Sequence, residues 1–383
     1  MRKKNILIFS QYFLPGFKAG GPIRSISNLI SFTHTFFNYF VITGDRDLNE
    51  KESYQAVSFN AWVPKNGYNV FYIKGLAGYS QQVYAIKQHD AVYLNSFFSF
   101  WYAIIPCFFS FLMGVRTIIA PRGEFSAGAL NIKSKKKRMY IEIFKMFHLH
   151  RFVTWHATSE EERLDISKIM GGRIEVLVAP NLSNRGLSDG ALDKINQVKS
   201  KKIFPLKLIF ISRISKKKNL DFALKALLKV NVLIDFSIYG PLEDEVYVKQ
   251  CQQTIDQLPN NVSAKFLGEV YPDQIGNIFQ QQHFFFFPTK GENYGHVIAE
   301  ALQNGCPVLL SDQHPWGNLA EYKAGWSISL GDADRFVEVM NGWGNLTAES
   351  YTSYSQGALE YWKNIYSKDI HRAKDLYLKL FNN

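Results

Sequence analysis

Cysteine is scarce in this 383-residue chain: Cys107, Cys251 and Cys306 are odd in number, far apart and set among apolar residues. That pattern excludes a disulfide framework and a cysteine metal site, and it points to a reducing cytosol. Short-period repeats and low-complexity tracts are missing too, which excludes solenoid and disordered classes. A secretory leader is not expected. The start "MRKKNILIFSQYFLPG" is basic with a short apolar run, but it lacks a long apolar core and a small-residue cleavage site, so it reads as a first strand. Acidic residues are outnumbered 33 to 44, for a net charge of +11. Such a balance favours phosphorylated ligands, anionic lipid or nucleic acid as partners. Nucleic acid is disfavoured, because no recognised module appears and the basic residues sit beside apolar helices. Charge is wholly absent from Ala91 to Val115, a length that would allow a membrane span. Pro106 interrupts this stretch, however, and Asn95, Ser96, Ser99 and Ser110 dilute it. It reads as a strand over Ala91–Leu94, a loop, a buried helix grazing a membrane, and a further strand over Arg116–Ala120.

What is present is a globular composition, 46% hydrophobic and 20% charged, in a chain long enough for two cores. Aromatic residues reach 15%. Strand and helix patterns alternate. "NILIFS" is a continuous apolar strand suited to a parallel sheet, and "YFLPGFKAGGPIRSISNLISF" is a glycine loop opening into a helix. "YFVITG", "NVFYI", "AVYLN", "RTIIAPRG", "FVTWHATS" and "IEVLVAPN" continue the strands. "SEEERLDISKI" reads as a helix capped by Ser159 with Glu162 completing a capping box. A second series runs from "LKLIFISRIS" through "NLDFALKALLKV", "IDFSIYG", "LEDEVYVKQCQQTIDQL", "VSAKFLGE", "YPDQIGNIFQQ", "HFFFFPT" and "GHVIAEALQNG" to "CPVLLSD". The expected fold is α/β, with two tandem Rossmann-like doubly wound domains facing a cleft. The boundaries are residues 1–185, a polar linker over 186–203, a second domain over 204–355, and a helical segment over 356–383 returning toward the first domain.

Three elements of the second half carry chemistry. Arg213 follows a strand and Lys218 opens the next helix; two cations and a helix N-terminus suit a diphosphate, although basic runs are commonly just solvated. Gly240 stands just past a strand end, where a ligand can approach backbone. In "PTKGENYGHVIAEALQNGCPV", Gly295 begins a helix whose free amides suit phosphate. Glu292 lies before that helix. Glu300, eight residues later, falls on roughly the same side if the helix is regular. Carboxylates accept paired hydrogen bonds from sugar diols, so the spacing suits a nucleotide sugar. The two Asp-x-Asp spacings, in "GDRD" (Gly44–Asp47) and "GDAD" (Gly331–Asp334), lie outside this cluster and read as turns.

The ordered set Arg213, Lys218-Asn219, Glu292-Asn293-Tyr294-Gly295, Glu300-Ala301-Leu302 and Gly305-Cys306-Pro307-Val308 resembles the family 4 glycosyltransferases, retaining enzymes of the GT-B fold. "GGPIRS", "APRGEFS", "HATSEEE" and "HPWGNL" are similar to a bacterial branch that builds surface polysaccharides. The resemblance implies that Arg213 and Lys218 hold the donor diphosphate, Glu300 the ribose and Glu292 the transferred sugar. It implies that Asn293, Tyr294, Gly295 and His296 line the donor pocket, that Phe266, Leu267 and Gly268 lie near the base, and that Gly20 and Gly21 close over the phosphates. Arg122 falls where many relatives carry a cleft histidine, which makes it an acceptor or cleft candidate. Asn293 and Tyr294 stand where relatives have Gly-Phe, and His296 replaces an apolar residue, so the donor sugar is left open. Ser159 is read as a helix cap and His156 as a structural histidine.

The implied reaction is retaining transfer of a hexose from a nucleoside-diphosphate sugar, with a UDP-sugar favoured, to a lipid-linked or surface-polysaccharide acceptor. The polysaccharide would be lipopolysaccharide, O-antigen, capsule or exopolysaccharide. Neither cofactor nor metal is expected, because Arg213, Lys218 and the helix at Gly295 offset the leaving charge. Lys133, Lys135, Lys136, Lys137 and Arg138 precede an aromatic helix, and this basic patch points to a peripheral position at the inner face of the cytoplasmic membrane. The alternatives are another activity on the same architecture, epimerase or phosphorylase, or a non-catalytic basic membrane- or nucleic-acid-binding protein.

Overall fold

The computed structural model describes residues 2–126, 129–130, 134–171, 173–182 and 204–382. The linker expected over 186–203, and Lys133 of the basic patch, lie outside the described residues. The chain divides into two compact units: Met1–Leu182 with Asp369–Asn383, and Ser183–Lys368.

In the first unit the described strands are β1 (Lys4–Phe9), β2 (Phe37–Gly44), β3 (Trp62–Lys65), β4 (Tyr68–Ile73), β5 (Ala91–Leu94), β6 (Arg116–Ile119), β7 (Thr154–Ala157) and β8 (Glu175–Val178). They form one sheet in the order β3-β4-β2-β1-β5-β6-β7-β8. All pairs are parallel except β3–β4. The helices are α1 (Gly21–Thr33), α2 (Gly75–Lys87), α3 (Ile105–Met113), α4 (Ser134–Met146), α5 (Leu149–Phe152) and α6 (Glu160–Met170). Parallel crossovers are right-handed. The chain steps one way through β4, β5, β6, β7 and β8 and the opposite way from β1 to β2. Helices α2, α3, α4 and α6 therefore share one face, and α1 takes the other. The cores follow this division. Ile86, Cys107, Phe144 and Ile166 pack with Trp155 on one side. Ile23, Ile26 and Leu29 pack with Tyr377, Leu380 and Phe381 on the other.

The second unit has β9 (Leu206–Ile211), β10 (Ile234–Tyr239), β11 (Val262–Phe266), β12 (Phe284–Phe287), β13 (Val308–Ser311) and β14 (Gly325–Ile328). Their order is β11-β10-β9-β12-β13-β14, all parallel. Its helices are α7 (Leu220–Leu227), α8 (Glu245–Ile255), α9 (Ile275–Gln280), α10 (His296–Gln303) and α11 (Ala333–Gly342). The four phenylalanines of β12 are fully buried, as a central strand covered on both faces requires. The last helix, α12 (Ala348–Asn382), contributes Tyr351, Ala358, Tyr361 and Trp362 to the core of this unit. Its final turns contribute Ala373, Tyr377, Leu380 and Phe381 to the first.

The structure corrects several expectations. Strand β3 was not foreseen: "WVPK" carries a proline, which only an edge strand tolerates. Strand β14 and α11 were missed as well, and Asp332 of "GDAD" is the N-cap of α11, accepting from the Arg335 amide. The uncharged stretch Ala91–Val115 does divide into β5, a loop and a helix, but α3 is not buried. Cys107 and Ser110 face inward, whereas Phe108, Phe111 and Leu112 face out. The capping box at α6 is half made. Ser159 Oγ accepts from the Glu162 amide, while the Glu162 carboxylate turns to Thr158 and to the Gly123 amide. Cys107, Cys251 and Cys306 form no disulfide, and all three are buried.

Candidate active site

Open α/β sheets bind ligands at the carboxyl ends of strands, where the strand order reverses. In the second unit the chain runs β9, β10, β11 in one direction and then returns to the other side of β9 with β12. The reversal lies between β9 and β12. The segment after β9 carries Arg213 and Lys218, and the segment after β12 carries Glu292 to Gly295, so topology brings these two segments together.

Side chains join the two segments. Lys218 Nζ lies 2.5 Å from Glu292 Oε1, and the two side chains are only 14% and 11% exposed. Asn219, in a left-handed conformation, donates from Nδ2 to the Pro288 carbonyl at 2.8 Å. The Lys290 amide donates to the Lys217 carbonyl at 2.9 Å. The Thr289 hydroxyl lies 3.0 Å from Glu292 Oε1 and 3.3 Å from the Lys217 carbonyl, and its single proton serves one at a time. A third segment, after β13, closes on the second: the Glu292 amide donates to the Gln313 carbonyl at 2.9 Å, and Trp316 Nε1 donates to the Tyr294 carbonyl at 2.5 Å. Tyr294 stands against His296 and Trp316, with ring centroids 4.8 and 5.3 Å apart.

Two glycines are required by this geometry. Gly240 has φ of 138°, and a Cβ there would fall 1.8 Å from the Ser212 carbonyl oxygen, so only glycine lets the end of β10 lie against the Arg213 segment. Gly295 caps α10 at φ 77°, where a Cβ would press on Ile298. The Gly240 amide donates to the Gly268 carbonyl, and the Leu267 amide to the Ile238 carbonyl, which places Leu267 beside Gly240 at the neighbouring strand end. Arg213 donates from Nη1 to Glu243 Oε1 at 3.0 Å. Glu300 is half-buried on α10. Helix periodicity does not relate it to Glu292, because α10 starts at His296 and Glu292 lies in the irregular segment before it.

Two groups here escaped the sequence reading. Lys217 sits with Arg213, Lys218 and Glu292. Desolvation, then the Lys218 cation, lowers its pKa; Glu292 opposes the fall and Arg213 adds to it. A run of three lysines gives no sign of which one turns toward the strand ends. His314, in "HPWGNL", accepts the Trp316 amide on Nδ1 at 3.0 Å. Burial pushes its pKa down to about 4, against the opposing carboxylates of Asp312 and Glu292.

The remaining candidates belong to the first unit. Gly20 caps α1 and Gly21 is its first residue. The segment before them is pinned by Asp47 Oδ2, which accepts the Phe17 and Lys18 amides at 2.7 and 3.0 Å and gives "GDRD" a holding role. Arg122 turns its guanidinium into its own unit. It donates from Nε to Asn95 Oδ1 at 2.8 Å, from Nη1 to Asn181 Oδ1 at 2.7 Å and from Nη2 to Tyr93 Oη at 2.8 Å. Tyr93 Oη lies 2.7 Å from His156 Nδ1, and His156 Nε2 lies 2.8 Å from the Ala179 carbonyl. The carbonyl can only accept, so Nε2 holds the ring proton and Nδ1 accepts from the tyrosine. Burial, then the Arg122 cation, depresses the His156 pKa to about 3, so the ring is neutral and structural.

Comparison with known proteins gives the site its context. Residues 193–359 match the family model described as Glycosyl transferases group 1. A poly(glycerol-phosphate) alpha-glucosyltransferase of Bacillus subtilis (strain 168) is 29% identical over 194 residues, covering 49% of this chain and 26% of that protein. The chain thus spans about a quarter of the length of that curated relative. Among solved structures, Anabaena HepE in complex with UDP-glucose matches 99% of this chain and 100% of its own at a TM-score of 0.69 and 16% identity. S. aureus TarM in complex with fondaparinux, alpha-GlcNAc-glycerol and UDP matches 99% of this chain and 100% of its own at a TM-score of 0.67 and 12% identity. Residues 193–359 are thus similar to the glycosyl transferases group 1, and the two α/β units of the chain have the GT-B fold of these structural neighbours.

Proposed function

We propose that this chain is a retaining, metal-independent glycosyltransferase. It moves a hexose from a nucleoside-diphosphate sugar, a UDP-sugar by preference, to a hydroxyl of a lipid-linked surface-polysaccharide acceptor at an anionic membrane surface. The observation that carries this reading is the gathering of Arg213, Lys218, Glu292 and the start of α10 at the strand reversal of the second sheet. Breaking the bond between the sugar's anomeric carbon and the diphosphate leaves positive charge on the ring and negative charge on the departing phosphate. Arg213, Lys218 and the amide end of α10 take up the second charge. Glu292 accepts hydrogen bonds from sugar hydroxyls, and Glu300 from the ribose. The acceptor hydroxyl adds to the same face that the diphosphate leaves and passes its proton to a diphosphate oxygen, so no side-chain base is needed. Arg213 pairs with Glu243 and Lys218 with Glu292, and a diphosphate competes for both cations.

The relatives support the donor class: one acts as a glucosyltransferase, and the structural neighbours were solved with UDP-glucose and UDP. The chemistry is tested by incubating the purified chain with a panel of UDP-, GDP- and ADP-sugars and a lipid-linked acceptor. The anomeric configuration of the product is then read by NMR. An α-linked product from an α-linked donor is expected, and a β-linked product overturns the retaining mechanism. Glu292→Ala should abolish turnover while the fold is kept; unchanged turnover would remove Glu292 from the site.

A further inference from the structure

More than a third of the large apolar side chains exposed among the described residues lie on α3, on α4 or just past the end of α4. Consecutive crossovers from β5 to β6 and from β6 to β7 place these two helices side by side on one face of the first sheet. Contacts bear this out. Tyr140 of α4 packs on Phe97 and Phe98, ahead of α3, with centroids 4.8 and 6.0 Å apart. Phe111 of α3 meets Phe152 of α5 at 5.1 Å. The inner faces are ordinary: Cys107 and Ser110, and Ile141 and Phe144, are buried.

The outer faces are not ordinary. A helix on a soluble domain turns charged residues to water. Here Phe108, Phe111 and Leu112 recur at helical spacing on the outside of α3, and Met139, Ile143, Met146 and Phe147 do the same on and just past α4. All are between 41% and 66% exposed. Helix α3 has no charged residue, whereas on α4 the exposed Lys135, Lys136 and Arg138 border the apolar row against one exposed acid, Glu142. Apolar patches of this kind mark contact surfaces.

We propose that the outer faces of α3 and α4 form a docking surface for an anionic lipid bilayer. The aromatic and aliphatic side chains enter the boundary between headgroups and acyl chains, and the bordering lysines and Arg138 meet lipid phosphate. Charge complementarity selects this occupant over a second copy of the chain, since a two-fold contact between copies of this face would set lysine against lysine. Among the described residues no helix is long and apolar enough to cross a membrane, so the contact is with one leaflet. In purpose this face rests on the membrane-borne acceptor proposed above. Its test involves no sugar transfer, so the two readings fail separately.

The full chain is floated with vesicles of mixed phosphatidylglycerol and phosphatidylcholine, and with phosphatidylcholine alone. Association with the anionic vesicles is expected, weakened by salt and slight on the neutral ones. Phe108→Ser with Leu112→Ser, Ile143→Ser with Met146→Ser, and Lys135→Glu with Lys136→Glu should each lower partitioning by about tenfold or more. Each should leave the melting temperature and UDP binding unchanged. The lysine pair lies on the exposed side of α4 and keeps the test open should an apolar variant fold poorly. Absence of the wild-type chain from anionic vesicles overturns the proposal, as does full binding by the variants. So does a dimer in light scattering that the Phe108 and Leu112 changes dissociate, which would assign the face to self-association.

Discussion

The Lys218–Glu292 pair gives the sharpest energetic prediction, with Lys218→Met and Glu292→Gln made singly and together. At 2.5 Å, in an effective dielectric of ~20, the gross Coulomb attraction is about 7 kcal/mol, and desolvation of the two groups offsets most of it. Removing one partner leaves the other charge largely enclosed. For fully buried pairs that costs 3–5 kcal/mol. The residual exposure of 14% and 11%, and the Thr289 hydroxyl beside Glu292, reduce the expected cost of Lys218→Met to about 2–3 kcal/mol. For a unit of this size the melting transition should then fall by about 5–10 °C. The double variant should be more stable than the summed singles imply, by about 1–2 kcal/mol, because no charge is left unpaired. Urea unfolding followed on the second unit measures all four corners of the cycle. Sugar transfer should fall by ~10²–10³ in each single variant, since both remove groups proposed to face the donor. Additivity of the two stability changes to within ~0.5 kcal/mol would refute the coupling, and with it the claim that the segments after β9 and β12 are held by this ion pair.

Three further outcomes are expected. Gly240→Ala places a Cβ against the Ser212 carbonyl at a φ of 138°, so urea unfolding should show a loss of at least about 3 kcal/mol, accompanied by loss of UDP binding in a thermal-shift assay. His156 is neutral in the fold, with its pKa pushed down to about 3, so below pH ~6.5 the unfolded chain binds a proton that the folded chain does not. Its contribution is complete above pH ~6.5 and is lost as pH falls toward about 3, at up to ~1.4 kcal/mol per pH unit; a His156→Gln variant should show a flatter acid limb in pH-dependent unfolding. Arg122→Lys cannot reproduce three separately directed hydrogen bonds and should destabilise the first unit by about 2–3 kcal/mol, while the affinity of the second unit for UDP stays the same by calorimetry.

Much of the fold was legible because its strands are buried on both faces and read as unbroken apolar runs, as in "NILIF" and "FFFF". Strand β3 was not, since Trp62–Lys65 is set by pairing with β4 and not by its own pattern. Helix α3 misled for a physical reason. An uncharged helix looks buried in any sequence, and only the packing shows that Phe108, Phe111 and Leu112 point away from the sheet. At the proposed site, Arg213, Lys218 and Gly295 were readable because each stands near a strand end or helix start, and Glu292 because it falls in the glycine-bearing segment between the two. Their proximity depends on a strand order that alternation alone does not give. Lys217 and His314 were hidden, one inside a charge run and the other in a loop whose hydrogen bonds, not its sequence, direct the ring toward Glu292. Glu300 was placed by helix arithmetic that does not apply, because the chain between the two glutamates is only partly helical.

The central claim is that the strand reversal of the second sheet binds a nucleoside diphosphate. The most direct test is thermal unfolding of the full chain with UDP, without added metal, for the wild type and for Arg213→Ala. At a hundred times its dissociation constant, UDP should stabilise the wild type by ~2.7 kcal/mol, and Arg213→Ala should lose most of that shift while melting normally by itself. A folded wild-type chain that UDP does not stabilise, or an Arg213→Ala variant that responds like the wild type, would contradict the assignment of the site.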